Sequence, residues 1–418
     1  MEKLPSYYRI IKSYEGKGNL HLSDGRKLDC DFECGQNEAG DIIVYSSINS
    51  TNSDLIMEVW FGGLEISHMS GHTVSGQRIQ ANLTQCISSS LGSKNSPAFL
   101  VFNAKDLTVG ELAAPLNALN AHLVNFKFIL PLSCHFRGYD VIIKKTEGYA
   151  EKELEMDATN RPKMTAELTV TSPNNHIVDI TKVTDILHDT CLLLSLASGC
   201  RIQWLYWDGC SADDGLTISY HWNGWSSPFS NWTIILKNPP EDIREFLRQT
   251  FDPYQDVKKE GIWQFDGAVT HFVDAVSSGN MLELRATNLV VLTDYLTKRF
   301  AKHKKSNLNR SFKSLLRHLQ KDHLNLDVDE EELDLFIKIR NKLVHEARFL
   351  DEDDFLDVKM DPEDPPKQYL RILSLTSRIM LAILKYQGYY HDWLKSKPEE
   401  WAGSNVSGRV KMQYLESA

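Results

Sequence analysis

Alternating apolar and polar residues mark short strands along the first part of the chain. Asp24 and Gly25 lie inside the alternating segment 20–28, and an Asp-Gly pair suits the tight turn that joins two strands. Further strand candidates, separated by turn residues, follow at residues 42–45, 98–102, 141–145 and 165–171. This pattern predicts a β-rich N-terminal domain over residues 1–180.

The spacing of apolar residues changes after residue 180. Residues 183–197 carry apolar side chains at helical spacing, and two strand-like segments follow at 202–207 and 216–222. We therefore expect residues 181–237 to continue the N-terminal region with a helix and a Trp-rich β-hairpin.

Pro239 and Pro240 mark the clearest boundary in the chain, because two prolines disfavour helix before them and suit a helix that starts just after. Beyond them the apolar spacing is helical at residues 241–250, 262–277, 281–302, 311–323, 330–350 and 369–394. The pattern predicts a helical domain over residues 238–395 and a polar tail over residues 396–418. The expected fold class is α+β, with a β-rich N-terminal region followed by an all-α helical bundle.

Composition narrows the class of protein. The 418 residues carry a net charge of −10 and 42% hydrophobic residues, which indicates a globular protein rather than one coated with nucleic-acid-binding charge. No signal peptide and no apolar run of membrane-spanning length is evident, so we expect a soluble, cytoplasmic protein without a membrane partner. The seven cysteines form no CxxC pair, which favours reduced thiols over a metal site at Cys30 and Cys34. We expect neither a metal nor a cofactor.

The predicted helix over residues 330–350 places a cation within an apolar stripe. At about 100° per residue, one stripe collects Leu333, Phe336, Leu343, Val344 and Ala347. Arg340 falls in the middle of that stripe, where a cation needs a carboxylate, a phosphate or a crevice. Asn341 and His345 are four residues apart and share a flank of this helix. Two interpretations stay open here: a structural ion pair beside a solvated histidine, or a functional site.

The segment Arg340-Asn341-Lys342-Leu343-Val344-His345 resembles the motif of HEPN domains: an arginine, a polar residue, three more residues, then a histidine, late in a helical domain. Residues 287–296 resemble the second-helix segment of Apea-like HEPN domains, with Asp294 where glutamate is more usual. Residues 337–339 resemble the apolar approach to the motif, and residues 370–389 resemble the closing helix. The β-rich region, with residues 192–207, loosely resembles the N-terminal domain that accompanies such HEPN domains.

The resemblance implies a metal-independent endoribonuclease, in which the 2′-OH of the RNA attacks and leaves a 2′,3′-cyclic phosphate and a 5′-OH. Arg340, Asn341 and His345 would be its catalytic residues. A guanidinium suits the charge of a phosphorane, a histidine moves protons near neutral pH, and an asparagine orients or binds without adding charge. Either Asp294 or Glu283, both on the predicted helix over residues 281–302, would hold Arg340 in place.

The family resemblance also implies partners. Two HEPN protomers usually join their motifs in one cleft, so a homodimer is expected. Proteins of this arrangement are typically prokaryotic anti-phage effectors of abortive infection, in which the N-terminal region would act as a sensor or regulator and a phage-derived trigger would start cleavage. The alternative is a non-catalytic HEPN protein that binds RNA, a nucleotide or a partner. A complete set of Arg340, Asn341 and His345 favours the enzyme, because inert members often lack one of them.

A basic run shortly before the motif agrees with an RNA partner. Residues 298–321 are rich in lysine and arginine and contain no acidic residue. Such a segment would attract a phosphate backbone. The expected RNA-binding residues are Lys298, Arg299, Lys302, Lys304, Lys305, Arg310, Lys313 and Arg317. The other interpretation of this run is a solvated helix end.

Two further clusters leave other interpretations open. The acidic segments 351–357 and 361–364 indicate a solvated loop or, alternatively, a screen over the cleft. Aromatic residues gather in the hairpin region, where they either pack a core or line a recognition surface: Trp204, Tyr206, Trp207, Tyr220, Trp222, Trp225 and Trp232. Exposed tryptophans would favour a third class, a ligand-binding or scaffold protein.

Overall fold

The structure is a computed structural model. It describes residues 10–48, 57–59, 63–90, 97–111, 115–173, 176–211, 215–222, 224, 229, 232–277, 279–305, 311–355, 362–396 and 408–415. The chain divides into two compact units, each assembled from separate segments. The β unit comprises Met1–Asn125, His135–His188 and Gln203–Ser227, and the helical unit comprises Phe126–Cys134, Asp189–Ile202 and Pro228–Ala418.

Twelve strands form one sheet with the order β3-β2-β1-β4-β5-β6-β12-β11-β7-β10-β9-β8. Their bounds are β1 (Ile10–Leu22), β2 (Lys27–Asn37), β3 (Ile42–Ile48), β4 (Ile66–Thr73), β5 (Arg78–Ser90), β6 (Ala98–Gly110), β7 (Ala118–Val124), β8 (Leu132–Phe136), β9 (Tyr139–Lys145), β10 (Met164–Thr171), β11 (Gln203–Ser211) and β12 (Gly215–Trp222). The predicted turn at Asp24 and Gly25 joins β1 to β2, with a φ of 90° at Gly25.

The first six strands of this order close on themselves, because β3 also pairs with β6. The alternation that predicted strands explains the barrel interior, since every second residue of β6 is buried from Ala98 to Ala104, and again at Leu107 and Val109. The interior is apolar and includes Leu20, Phe32, Val44, Met69, Ile79 and Leu100. Closure leaves no open edge among these six strands except where the remaining strands continue the sheet.

Two helices belong to the same stretch of chain as the strands: α1 (Tyr149–Thr159) and α2 (Ile180–Ser198). The later helices are α3 (Pro240–Glu260), α4 (Phe265–Ser277), α5 (Leu282–His303), α6 (Phe312–Arg317), α7 (Glu330–Glu346), α8 (Glu352–Phe355) and α9 (Pro365–Ile383). A π-helical segment (His318–His323) continues α6, and a two-stranded sheet joins β13 (Tyr389–His391) to β14 (Arg409–Lys411).

Helix α5 occupies the centre of the helical unit. Its apolar residues Leu289, Leu296 and Phe300 are buried, and the hydroxyl oxygens of Thr293 in α5 and Thr376 in α9 lie 3.1 Å apart. One side of α5 packs in the core, and its other side carries polar residues. Asp294 is half-buried and lies at the boundary between core and solvent.

The predicted fold class is wrong, although the N-terminal part is β-rich as expected. The region predicted as all-α contains β13, which pairs with β14 from the predicted polar tail, and the N-terminal strands form a closed six-stranded antiparallel barrel with further strands. A strand of three residues has no period to detect. Barrel closure depends on the pairing of Tyr45 with Val101 and its neighbours, which strand-by-strand alternation does not encode.

Candidate functional site

Helix α7 carries the motif residues and has clear ends. Asp329 caps its start, with a side-chain oxygen that accepts from the backbone N–H of Glu331 at 3.2 Å. Its end is set by Ala347, which has a φ of 56° and donates its N–H to the carbonyl of Leu343. Leu343 is buried whereas Val344 is 43% exposed, so the apolar stripe is narrower than predicted.

Arg340 lies at the edge of this stripe and pairs with Asp294 of α5. Its Nη2 donates to Asp294 Oδ2 at 2.8 Å, and the two side chains are only 17% and 15% exposed. Nη1 donates to Asn341 Oδ1 at 3.0 Å. The guanidinium carbon lies 5.1 Å from the centre of the Phe312 ring, a distance that allows a cation–π contact.

Of the two carboxylates that the sequence offered as partners for Arg340, Asp294 makes the contact. Glu283 lies in the first turn of α5, about 16 Å along the helix axis from Asp294 at 1.5 Å per residue. That separation places Glu283 out of reach of the guanidinium.

The pair of Arg340 and Asp294 is not saturated with hydrogen bonds. A guanidinium has five N–H donors. The bonds to Asn341 and Asp294 use one N–H on Nη1 and one on Nη2, and leave a second N–H on each of these atoms. Arg340 Nε and Asp294 Oδ1 are buried without a hydrogen-bond partner, an arrangement that costs about 1–3 kcal/mol per group. Lys298 Nζ lies 3.6 Å from Asp294 Oδ2 and adds positive charge. The guanidinium is therefore anchored but still able to bind an anion.

Asn341 and His345 are exposed and lie on one flank of α7. His345 belongs to the last turn of the helix, about 140° around the axis and about 7.5 Å along it from Arg340. One chain therefore brings Arg340, Asn341 and Asp294 together but does not bring the imidazole of His345 to the guanidinium.

Ion pairs hold the end of α7. Lys342 Nζ lies 2.9 Å from Asp354 and 3.0 Å from Glu346, and Arg348 lies 2.8 Å from Asp351. The hydrogen bond from Lys342 is the main cause that lowers the pKa of Asp354 to about 2. The acidic segment after α7 is thus tied to Lys342 of the helix and to Arg348 just after it. Residues 356–361 lie outside the described part.

The predicted basic run separates into two groups. Lys313 pairs with Asp334, and Arg317 pairs with Glu330 at the start of α7. Three lysines around the end of α5 are exposed instead, namely Lys302, Lys304 and Lys305. Arg310 lies outside the described residues. Arg299 donates to Gln264 Oε1 at 2.8 Å.

The aromatic residues of the predicted hairpin are mainly packed inside the β unit. Trp204, Tyr206 and Trp207 are buried, and the Trp204 ring lies 5.6 Å from the ring of Trp222. Trp225 lies outside the described residues. The buried tryptophans favour the core interpretation of this cluster over a recognition surface.

Phe312, whose ring faces the guanidinium of Arg340, was not predicted as a site residue. No sequence pattern shows which residue of α6 lies next to a given residue of α7.

A polar cluster in the β unit was also not predicted. There, Lys12 Nζ donates to Asp208 Oδ1 at 2.6 Å and to Ser219 at 3.1 Å. His122 Nε2 lies 3.9 Å from Asp208 Oδ2. Polar residues at alternate positions of β11 and β12 were the only sequence signal for this cluster.

Neither a metal centre nor a membrane span is evident in the described ranges. No group of three or more His, Cys, Asp or Glu residues there is arranged to hold a metal ion. No described helix combines the length and the apolar character needed to cross a membrane. Comparison of the chain with protein-family models, curated proteins and solved structures finds no match.

Proposed function

We propose that this chain is an endoribonuclease of HEPN type that cleaves RNA without a metal ion, with Arg340, Asn341 and His345 as its catalytic residues. The observation that carries the proposal is the guanidinium of Arg340, which Asp294 anchors at 2.8 Å while one further N–H on each Nη atom is left to donate to an anion. A cation held in this way suits the extra charge of a pentavalent phosphorane.

In the proposed reaction, the 2′ oxygen of the RNA attacks the adjacent phosphorus and the bond from phosphorus to the 5′ oxygen breaks. The 2′ proton passes to a base, and the leaving 5′ oxygen takes up a proton. The products are a 2′,3′-cyclic phosphate and a 5′-OH. His345 serves one of the two proton transfers. Asn341 accepts from Arg340 through Oδ1, so its NH₂ group is left to donate to a phosphate oxygen.

The proposed enzyme is a homodimer in which the motifs of two protomers share one cleft. The separation of His345 from Arg340 within one helix supports this proposal, since a second protomer would supply the imidazole that one chain does not bring to its own guanidinium. Lys302, Lys304 and Lys305 provide exposed positive charge for the RNA backbone.

The direct test is cleavage of total cellular RNA by the purified protein, with and without EDTA, with mapping of the fragment ends. We expect cleavage that survives EDTA, leaves cyclic-phosphate ends and disappears in Arg340→Ala and in His345→Ala. Arg348→Ala is the matched control, because Arg348 lies just after α7 and forms ion pairs with the nearby acidic residues Glu346, Asp351 and Asp354. Equal cleavage by the wild type and both motif variants would contradict the proposal.

Mixing the two motif variants tests the shared cleft. If one protomer supplies Arg340 and its partner supplies His345, half of the randomly mixed dimers hold one intact site of two, so about a quarter of the wild-type rate returns. No recovery after mixing would contradict a composite site.

We further propose a cytoplasmic role in abortive infection, with the β unit as sensor or regulator and a phage-derived trigger. The expected result is that bacteria expressing the wild type stop growing under phage challenge, whereas bacteria expressing His345→Ala do not. Equal growth arrest with both forms would contradict this role.

A non-catalytic HEPN protein that binds RNA, a nucleotide or a partner is the second candidate. The observation that favours it is the ion pair itself, because Asp294 already neutralises Arg340. Binding of RNA that depends on Arg340, together with no cleavage under challenge by phage, would support this candidate over the enzyme.

A further inference from the structure

A pocket of about 310 Å³ opens between α4 and α5 in the helical unit. Five of the residues that line it are Gln264, Gly267, His271, Val291 and Tyr295. Its volume lies at the lower end of the range of about 300–1,000 Å³ that small-molecule sites occupy. The pocket therefore suits a single ring system rather than a large ligand.

The polar edge of the pocket is built around Gln264. Its Oε1 accepts from the hydroxyl of Tyr295 at 2.6 Å and from Arg299 Nη2 at 2.8 Å. Both bonds use the carbonyl oxygen, so the amide orientation is fixed and the NH₂ group is left as a donor. A ligand at this edge should therefore present a hydrogen-bond acceptor.

The walls of the pocket suit a flat ligand. The guanidinium carbon of Arg299 lies 5.2 Å from the centre of the Tyr295 ring, which holds both groups in place. Val291 is 52% exposed and adds an apolar surface. Gly267 contributes no side chain, and a Cβ built there would meet no atom within 4 Å. Aromatic and guanidinium planes are the groups on which proteins stack unpaired nucleobases.

The pocket lies beside the candidate site. Tyr295 directly follows Asp294, the partner of Arg340, so pocket and ion pair occupy adjacent flanks of α5, about 100° apart. Lys298 and Arg299 follow one turn later on these two flanks and supply positive charge next to both. An RNA strand whose phosphate contacts Arg340 would thus have a stacking surface within reach of a neighbouring base.

We propose that this pocket binds one nucleobase of the RNA strand and thereby selects the base near the cleaved bond. The inference rests on the proposed ribonuclease function, because it assigns the pocket to the same substrate. The base stacks against Tyr295, and an acceptor on its edge receives a hydrogen bond from the amide of Gln264. His271 and Gly267 line the same pocket.

The test measures binding without cleavage. Short single-stranded oligonucleotides of each base, 2′-O-methylated so that no 2′-OH can attack, are titrated into the full chain by fluorescence anisotropy. Gly267→Phe fills the pocket, and Gly267→Ala is the matched control because its Cβ has open space. We expect a preference for one base or base class in the wild type and in Gly267→Ala. In Gly267→Phe we expect that preference to vanish and the affinity to fall about tenfold or more.

Circular dichroism of each variant excludes loss of folding, and Tyr295→Leu provides a second way to remove the stacking surface. Equal affinity and equal base preference in Gly267→Phe and Gly267→Ala would overturn the pocket proposal, even if RNA is cleaved normally. A base preference that is lost in Gly267→Phe would support the pocket even if the chain cleaves no RNA. Free nucleoside monophosphates form the last arm: their binding, combined with unchanged oligonucleotide binding in Gly267→Phe, would overturn the assignment to an RNA strand.

Discussion

Each of the two units contains an ion pair of similar burial. The two pairs differ in how many of their hydrogen-bonding groups are left without a partner. In the β unit, Lys12 and Asp208 lie 2.6 Å apart and are 22% and 18% exposed. In the helical unit, Arg340 and Asp294 lie 2.8 Å apart and are 17% and 15% exposed. Burial alone therefore does not distinguish the two pairs.

Hydrogen bonding separates the two pairs. Asp208 accepts from Lys12 through both oxygens, at 2.6 and 2.9 Å, and from Ser219 at 2.5 Å. Asp294 accepts from Arg340 through one oxygen, and its Oδ1 and Arg340 Nε stay buried without a partner. A closed network stabilises its own unit, whereas the open one leaves hydrogen-bonding groups of Arg340 and Asp294 without a partner.

The largest effect is expected from breaking the closed pair. Asp208→Asn removes the negative charge that compensates Lys12, so the free energy of unfolding should fall by about 3 kcal/mol. Urea denaturation followed by tryptophan fluorescence measures this loss. Asp31→Asn is the control, because Asp31 and Lys17 are 48% and 87% exposed and such a pair contributes about 0.5 kcal/mol or less. Equal losses in the two variants would remove the distinction on which the comparison rests.

Acid should weaken the same network through His122. Burial is the main cause that lowers the pKa of His122 to about 4, and nearby Lys12 and Lys152 lower it further while Asp208 opposes them. The unfolded chain therefore binds a proton that the folded chain does not, so stability falls as the pH drops from about 6.5 to about 4, by on the order of 2 kcal/mol.

His122→Gln checks this assignment, because a glutamine does not titrate. We expect the variant to be less sensitive to acid than the wild type when urea midpoints are compared across this interval. His135→Gln is the control, since His135 is 58% exposed. Parallel pH profiles for His122→Gln and the wild type would show that other groups cause the acid sensitivity.

The open pair should respond differently to the same kind of substitution. Asp294→Asn keeps the shape of the side chain but weakens the anchor of Arg340, so RNA cleavage should fall about tenfold. The loss of stability should be about 1 kcal/mol, because Asp294 makes fewer hydrogen bonds than Asp208. Initial cleavage rates and urea denaturation measure the two effects.

Asp334→Asn is the control for this variant, since Asp334 lies on α7 and pairs with Lys313 at the surface. A rise in RNA binding or cleavage in Asp294→Asn would mean that Asp294 restrains Arg340 rather than positions it. A rise in binding without cleavage would favour the non-catalytic candidate, whereas a rise in cleavage would identify Asp294 as a restraint on the proposed enzyme.

The two pairs were not equally predictable from the sequence. Apolar periodicity predicted the helix that became α7, and the position of Arg340 within its stripe predicted a partner of opposite charge. Which carboxylate serves was open, because the relative height of α5 and α7 is set by tertiary packing. The structure resolves it in favour of Asp294.

Nothing in the sequence pattern joined Lys12 to Asp208, which are 196 residues apart. Their meeting depends on how β1 and β11 are placed, and the closure of the first six strands through β3 and β6 was equally hidden. Alternation reports which face of a strand is buried, but it does not report which strand lies next to it. This is also why the predicted fold class missed the barrel.

The smallest effect is expected at the end of α7, next to His345. Ala347 adopts a φ of 56°, a conformation that costs an L-residue about 1–2 kcal/mol, whereas α3 ends at Gly261 with a φ of 65°. Ala347→Gly removes the strain but adds backbone entropy to the unfolded chain, so the net gain in stability should be about 0.5 kcal/mol.

Lys385→Gly is the matched control, because Lys385 has a φ of 55° and is also exposed. If Ala347 only ends the helix, both variants gain stability and keep the wild-type cleavage rate. A loss of cleavage in Ala347→Gly alone would show that a rigid helix end is needed to present His345.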